Sequence, residues 1–176
     1  TGDDIRQGQR IWQSLGGMEI GSVWGHGAYV APDWTADWLH REATFILDKW
    51  ARDEGAGSYQ ELHPERQAAL KARLKGVMRT NTYDPATGAI RLDPVRVEAY
   101  QANVQHYSAL FADGHDHYAI PRGTLTDQAQ AKQMADFFWW TSWSASTDRP
   151  GDTVTYTQNW PHEPLIDNRP SAENVV

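Results

Sequence analysis

The sequence predicts a mainly α fold with a small β-hairpin and an extended C-terminal arm. Three observations carry this prediction. Five segments space apolar residues three and four apart, which marks one face of a helix. One stretch, NTYDPATGAIRLD (residues 81–93), sets turn residues between short extended pieces. From residue 144 onward there are four prolines and no helical period.

The first helix is expected over residues 3–15, capped by Asp3 or Asp4, with Ile5, Trp12 and Leu15 on one face. Gly16 and Gly17 stop it. The second runs from about Thr35 to Asp53, capped by Thr35 or Asp33. Leu39, Ala43, Ile46 and Trp50 form its stripe, which Trp38 and Phe45 widen. The third spans about Pro64–Met78, with proline in the first turn and Leu70, Leu74 and Val77 facing inward. The hairpin follows. The fourth covers about Pro94–Ala112, striped by Val97, Tyr100, Val104, Tyr107 and Phe111. The fifth spans about Asp127–Trp143, with Thr126 as N-cap and Leu125 as a staple. One strand is expected in the arm at residues 154–157.

Between the first two helices lies QSLGGMEIGSVWGHGAYVAP (residues 13–32), with five glycines among its aromatic residues. Glycine serves where φ is positive or where the backbone passes close to something bulky.

Bulk properties narrow the function. The chain has 176 residues, net charge −7 and a pI near 5.4, and no basic stripe, which argues against a nucleic-acid partner. Cysteine is absent, which excludes disulfides, thiolate metal sites, a cysteine nucleophile and thioether-linked haem. No run approaches the roughly 20 apolar residues of a membrane span. The polar opening TGDDIRQGQR is no signal peptide. A mature secreted protein, a cytosolic protein and an excised domain all fit. Nine Trp, seven Tyr and four Phe suit a core built on rings, each removing about 150–250 Å² from water.

No complete catalytic constellation is present: GxSxG, P-loop, HExxH and dinucleotide fingerprints are all missing. His115 and His117 alternate as zinc ligands can, but no third ligand is identifiable, and a polar loop is the simpler reading. Phe137, Phe138, Trp139, Trp140 and Trp143 point several ways on a helix, so core packing is favoured over a sugar platform. Glu42, beside His40 and Arg41, lacks a partner carboxylate and reads as part of a solvated face.

Two long stretches carry a family resemblance. GGMEIGSVWGHGAYVAPDWTADWLHRE (residues 16–42) resembles the start of the hydrophilic domain of quinol-dependent nitric oxide reductases. TYTQNWPHEPLIDNRPSAENVV (residues 155–176) resembles the segment entering that family's next membrane helix. The resemblance implies a cytochrome c-like domain fused to a membrane-embedded catalytic part that holds haem b, haem b3 and non-haem iron. In the related haem c proteins the pattern is Cys-x-x-Cys-His, then Gly-x-Gly-Ala-Tyr and Ala-Pro. Gly25-His-Gly27-Ala-Tyr29 matches the later motif. Gly17 and Ile20 then stand at the two thioether positions, Gly21 at the proximal histidine, and Ile120 at the axial methionine before a proline.

The resemblance therefore implies a cytochrome c-like fold lacking haem. An unfilled berth of that size would be heavily destabilising, so Trp12, Trp24, Tyr29 and Trp139 are the expected fillers. It further implies a single domain over residues 1–176, with an inserted helical segment at about 45–95 and an arm, 144–176, leading toward a membrane helix. Calcium would be held through the carbonyls of Gly27 and Tyr29 only in the full enzyme. Trp160, His162 and Glu163 would lie near the membrane, with quinol nearby. The expected partner is the catalytic membrane domain of the same polypeptide, on the periplasmic or extracytoplasmic side of the bacterial inner membrane. The chain would have no catalytic residues of its own. The alternatives are a periplasmic Trp-rich carbohydrate-binding module, or a small metalloenzyme using His115 and His117.

Overall fold

The computed structural model describes residues 1–170. Among them are five α-helices: α1 (Gly2–Ser14), α2 (Trp34–Asp53), α3 (Pro64–Arg79), α4 (Pro94–Asp113) and α5 (Gln128–Ser146). One two-stranded antiparallel hairpin, β1 (Tyr83–Asp84) and β2 (Ala89–Ile90), lies between α3 and α4. The chain divides into two compact units, residues 1–38 with 100–143, and residues 39–99 with 144 onward.

Side-chain oxygens set the helix starts, by satisfying amide donors that have no partner in the first turn. Thr1 caps α1 in a capping box with Asp4, so the expected caps Asp3 and Asp4 lie inside the first turn instead. Asp33 accepts from the Ala36 amide at 3.0 Å and starts α2. Asp127, not Thr126, accepts from the Gln130 amide at 3.0 Å and starts α5. Asp84 organises the hairpin turn, accepting from the Ala86 amide and the Thr87 hydroxyl, each at 2.9 Å.

In the first unit the core is aromatic. Trp34, Tyr107, Phe111, Phe137 and Phe138 are buried with Met134 and Ile120. Gly8 admits α5: a Cβ there would stand 1.9 Å from the Gln133 carbonyl oxygen, so only glycine permits this backbone approach.

In the second unit Leu39, Ile46, Leu47, Leu70, Leu74 and Met78 make the core. Two expected inward residues sit elsewhere, since the helix faces are rotated from the simple stripe. Val77 is half-buried while Met78 is buried, and Val97 is exposed while Val95 and Ala99 are buried. Glu42 is not on a solvated face. It is fully buried and accepts from Arg96 Nε at 2.6 Å, and Arg96 is itself buried.

From Thr147 onward the chain is irregular but tied down. No strand forms at 154–157; Thr155 and Asn159 close a turn on each other, backbone to side chain, at 3.0 and 2.7 Å. Asn168 donates to the carbonyls of Ala145 and Pro161 and accepts from the Glu163 amide. Residues 171–176 of the expected arm lie outside the described residues.

Removing one partner of a buried ion pair strands the other charge, at a cost of about 3–5 kcal/mol. Urea denaturation of Glu42→Ala is expected to show a loss of that size. The double variant Glu42→Leu with Arg96→Met is expected to recover most of it.

Candidate functional site

The glycine-rich loop of the first unit is the segment in which backbone and aromatic core come closest. After α1, residues Gly17–Ile20 make a single 3₁₀ turn. Gly21 follows with φ +132°, a region that side chains rarely enter. A Cβ at Gly21 would stand 2.2 Å from Trp34 Nε1 and 2.3 Å from Trp34 Cε2. The indole of Trp34 thus occupies the space that any side chain at position 21 would need. The carbonyl of Gly21 also accepts from Trp12 Nε1 at 3.1 Å. Two tryptophans therefore converge on one glycine.

Trp34 is fully buried and ringed by aromatic neighbours. It stacks on Phe138 at 5.5 Å and meets Tyr107 and Tyr118 edge-on at 5.9 and 6.3 Å. Phe111 lies tilted at 5.5 Å. Offset and edge-on geometries are the favoured ones for such rings.

Polar groups fix the ring system from outside. Tyr107 donates to Asp37 at 2.7 Å, and Tyr100 donates to Asp136. Burial first, and then that bond, push the Tyr100 phenol up to about 12.

Asp33 closes the base of the loop. Its Oδ2 accepts from the Ser22 hydroxyl at 2.7 Å and the Gly25 amide at 2.6 Å, while its Oδ1 caps α2. Residues 26–30 are left outside the clamp. Gly27, Tyr29 and Val30 are exposed, Tyr29 wholly so. Tyr29 therefore fills no cavity within this chain, contrary to its expected role.

The other expected fillers do pack in this unit. Trp12 is buried against Phe137, ring centres 5.5 Å apart. Trp24 is half-buried and meets Trp140 edge-on at 5.6 Å. Trp139 is half-buried and meets Tyr100 edge-on at 6.5 Å. Trp34, a fully buried ring, is not among the expected fillers. Its signal is present in the sequence, since it stands four residues before Trp38 and so shares its helical face. Of the positions laid on haem attachment and ligation, Gly17 is buried, Ile20 half-buried and Ile120 buried in the same core.

These residues do not fit a haem. Positions 17, 20, 21 and 120 offer no side-chain sulfur or nitrogen for attachment or ligation, and the Trp34 indole lies against position 21. No group of three or more His, Cys, Asp or Glu able to hold a metal occurs among the described residues. His115 stacks on Tyr118 at 4.0 Å, and its ring lies 6.0 Å from that of His117.

No tryptophan platform forms either, because Trp160 is the one exposed tryptophan of the nine. In the second unit Trp160 and His162 are exposed. Glu163 is turned inward, 3.1 Å from His40 Nδ1 and accepting from the Leu165 amide at 3.0 Å. No described helix is long and apolar enough to cross a membrane.

A family model agrees with this fold. The model of the NorB cytochrome c-like domain of nitric oxide reductase matches residues 1–162. No curated protein matches the chain.

Overpacking and strained positive φ each cost about 1–3 kcal/mol. Gly21→Ala is accordingly expected to lower stability by about 2–6 kcal/mol. Chemical denaturation followed by tryptophan fluorescence measures it.

Proposed function

The chain belongs to the NorB cytochrome c-like domain family of nitric oxide reductases, and from that premise we propose that it is a haem-free, non-redox lid on a quinol-dependent enzyme. The parent reaction reduces NO to N2O with electrons from quinol. Haem b, haem b3 and non-haem iron would belong to the catalytic membrane part of the same polypeptide, which this domain docks on and caps. The observation that carries the reading is the Trp34 indole pressed against Gly21, where a haem relative would carry its proximal histidine. An electron carrier cannot sit where an indole already sits, so the domain's contribution is shape, shielding and contact.

In this reading the chain is one domain with an inserted helical segment, and its tail runs on toward a membrane helix. The exposed apolar residues of the glycine loop, Met18, Tyr29 and Val30, form the docking face. The carbonyls of Gly27 and Tyr29 contribute two of the six to eight oxygens that calcium takes, the remainder coming from the catalytic part. Trp160 and His162 face the membrane boundary on the periplasmic side, near the quinol. The isolated chain reduces no NO, because it supplies no ligand set for haem or iron.

The test is haem content after expression in a host that matures c-type cytochromes. The purified chain is expected to show no Soret band and no pyridine haemochrome. Stoichiometric haem in this chain, covalent or not, would contradict the reading.

A further inference from the structure

The second unit carries a groove of about 1100 Å³ that the lid reading leaves unused. Its walls come from the end of α3, the start of the hairpin, the loop 148–156 and residues 167–169. Arg79 forms its floor and is nearly buried. It donates to Asp148 Oδ1 at 3.0 and 2.6 Å, and to the carbonyls of Asp167 and Thr153 at 2.7 and 2.6 Å. One guanidinium therefore ties three wall segments together, so the groove is a built feature.

Two phenol rings stand on its rim. Asn81 donates to Tyr156 Oη at 2.9 Å and accepts from the Tyr83 backbone amide at 3.0 Å. Tyr83 and Tyr156 are 46% and 40% exposed, and the Tyr156 ring is fixed there by its bond to Asn81. The exposed Trp160 follows the groove-lining Asn159 directly.

The lining carries four cations, Lys75, Arg79, Arg149 and Arg169, against three carboxylates, in a chain whose net charge is −7. Asp148 is engaged by Arg79. Asp167 is shared by Lys75 at 2.9 Å and Arg169 at 2.7 Å. Two cations on one carboxylate leave an excess of positive charge at the mouth. Arg149 donates to the Tyr156 carbonyl at 3.3 Å and in the charge count offsets the third carboxylate, Asp152, which leaves the lining one positive charge in excess.

Cations interleaved with amphipathic rings match the bilayer interface, where a phosphate headgroup meets glycerol and acyl chain. A free phosphate would use the cations and leave the rim rings idle. We propose that this groove seats the phosphate headgroup of a membrane phospholipid and so presses the second unit onto the bilayer surface. The proposal rests on the lid reading, which places this unit beside a membrane.

Sedimentation of the 176-residue chain with lipid vesicles tests it. The chain is expected to pellet with mixed phosphatidylcholine–phosphatidylglycerol vesicles and far less with phosphatidylcholine alone. Arg149→Gln and Arg169→Gln are each expected to weaken binding about fivefold, the worth of one basic side chain near an anionic surface. Tyr83→Ser with Tyr156→Ser is expected to remove the part of binding that survives high salt. Three results would each overturn the proposal: no pelleting with either vesicle, equal pelleting with both, or variants that bind like the parent. Retention on an amylose or chitin resin in place of vesicles would also overturn it. Haem assayed on the same sample separates the two ideas, since haem there contradicts the lid, whereas absent pelleting without haem contradicts the groove alone.

Discussion

One close approach in the first unit, an indole against a glycine backbone, decides what the domain can be. Trp34 reaches Gly21 because position 21 has no side chain, and Gly21 holds φ +132° because nothing but glycine sits there comfortably. Trp12 bonds the same residue's carbonyl. Around this contact Tyr107, Phe111, Tyr118 and Phe138 close a ring of side chains. Proteins pack their interiors to crystal-like density. A glycine loop with this much open backbone is therefore stable only if something bulky packs against it, and here that bulk is a cluster of rings.

The helices are legible in the sequence because their apolar spacing is local, and so is the hairpin turn around Asp84. What escapes is non-local. Glu42 reads as solvated in its own helix, and only Arg96, 54 residues later, makes its burial tolerable. The end of α5 at Ser146 is hidden because Ser144 and Ser146 break the apolar pattern, although both are buried. The tail reads as a strand at 154–157 because Val and Thr favour one, but the bonds between Thr155 and Asn159 make a turn instead. At the site, the absence of sulfur and imidazole from positions 17, 20 and 21 is visible by residue type. The identity of the filler is not, since it depends on where α2 begins relative to the loop. Asp33 fixes both at once by capping α2 and clamping Ser22 and Gly25. That clamp also explains Tyr29, left outside with the loop tip.

The two units use different chemistry. The first is held by rings, with Tyr100 and Tyr107 each anchoring to an aspartate. The second relies on buried arginines, Arg96 with Glu42 and Arg79 with Asp148. Buried ion pairs contribute little net stability, but leaving one partner without the other is costly. An irregular tail held by Arg79, Asn159 and Asn168 needs such specific anchors, because it has no repeating backbone pattern of its own.

Restoring the haem motif tests the central claim most directly. Gly17→Cys, Ile20→Cys and Gly21→His together would supply both thioether sulfurs and the proximal ligand, in a host that attaches haem c. Haem stoichiometry is then read by pyridine haemochrome, with and without Trp34→Ala. The account predicts little or no haem while Trp34 remains, and a marked gain once the indole is removed. Full haem loading with Trp34 still in place would show that the indole does not occupy the haem's space, and would contradict the account.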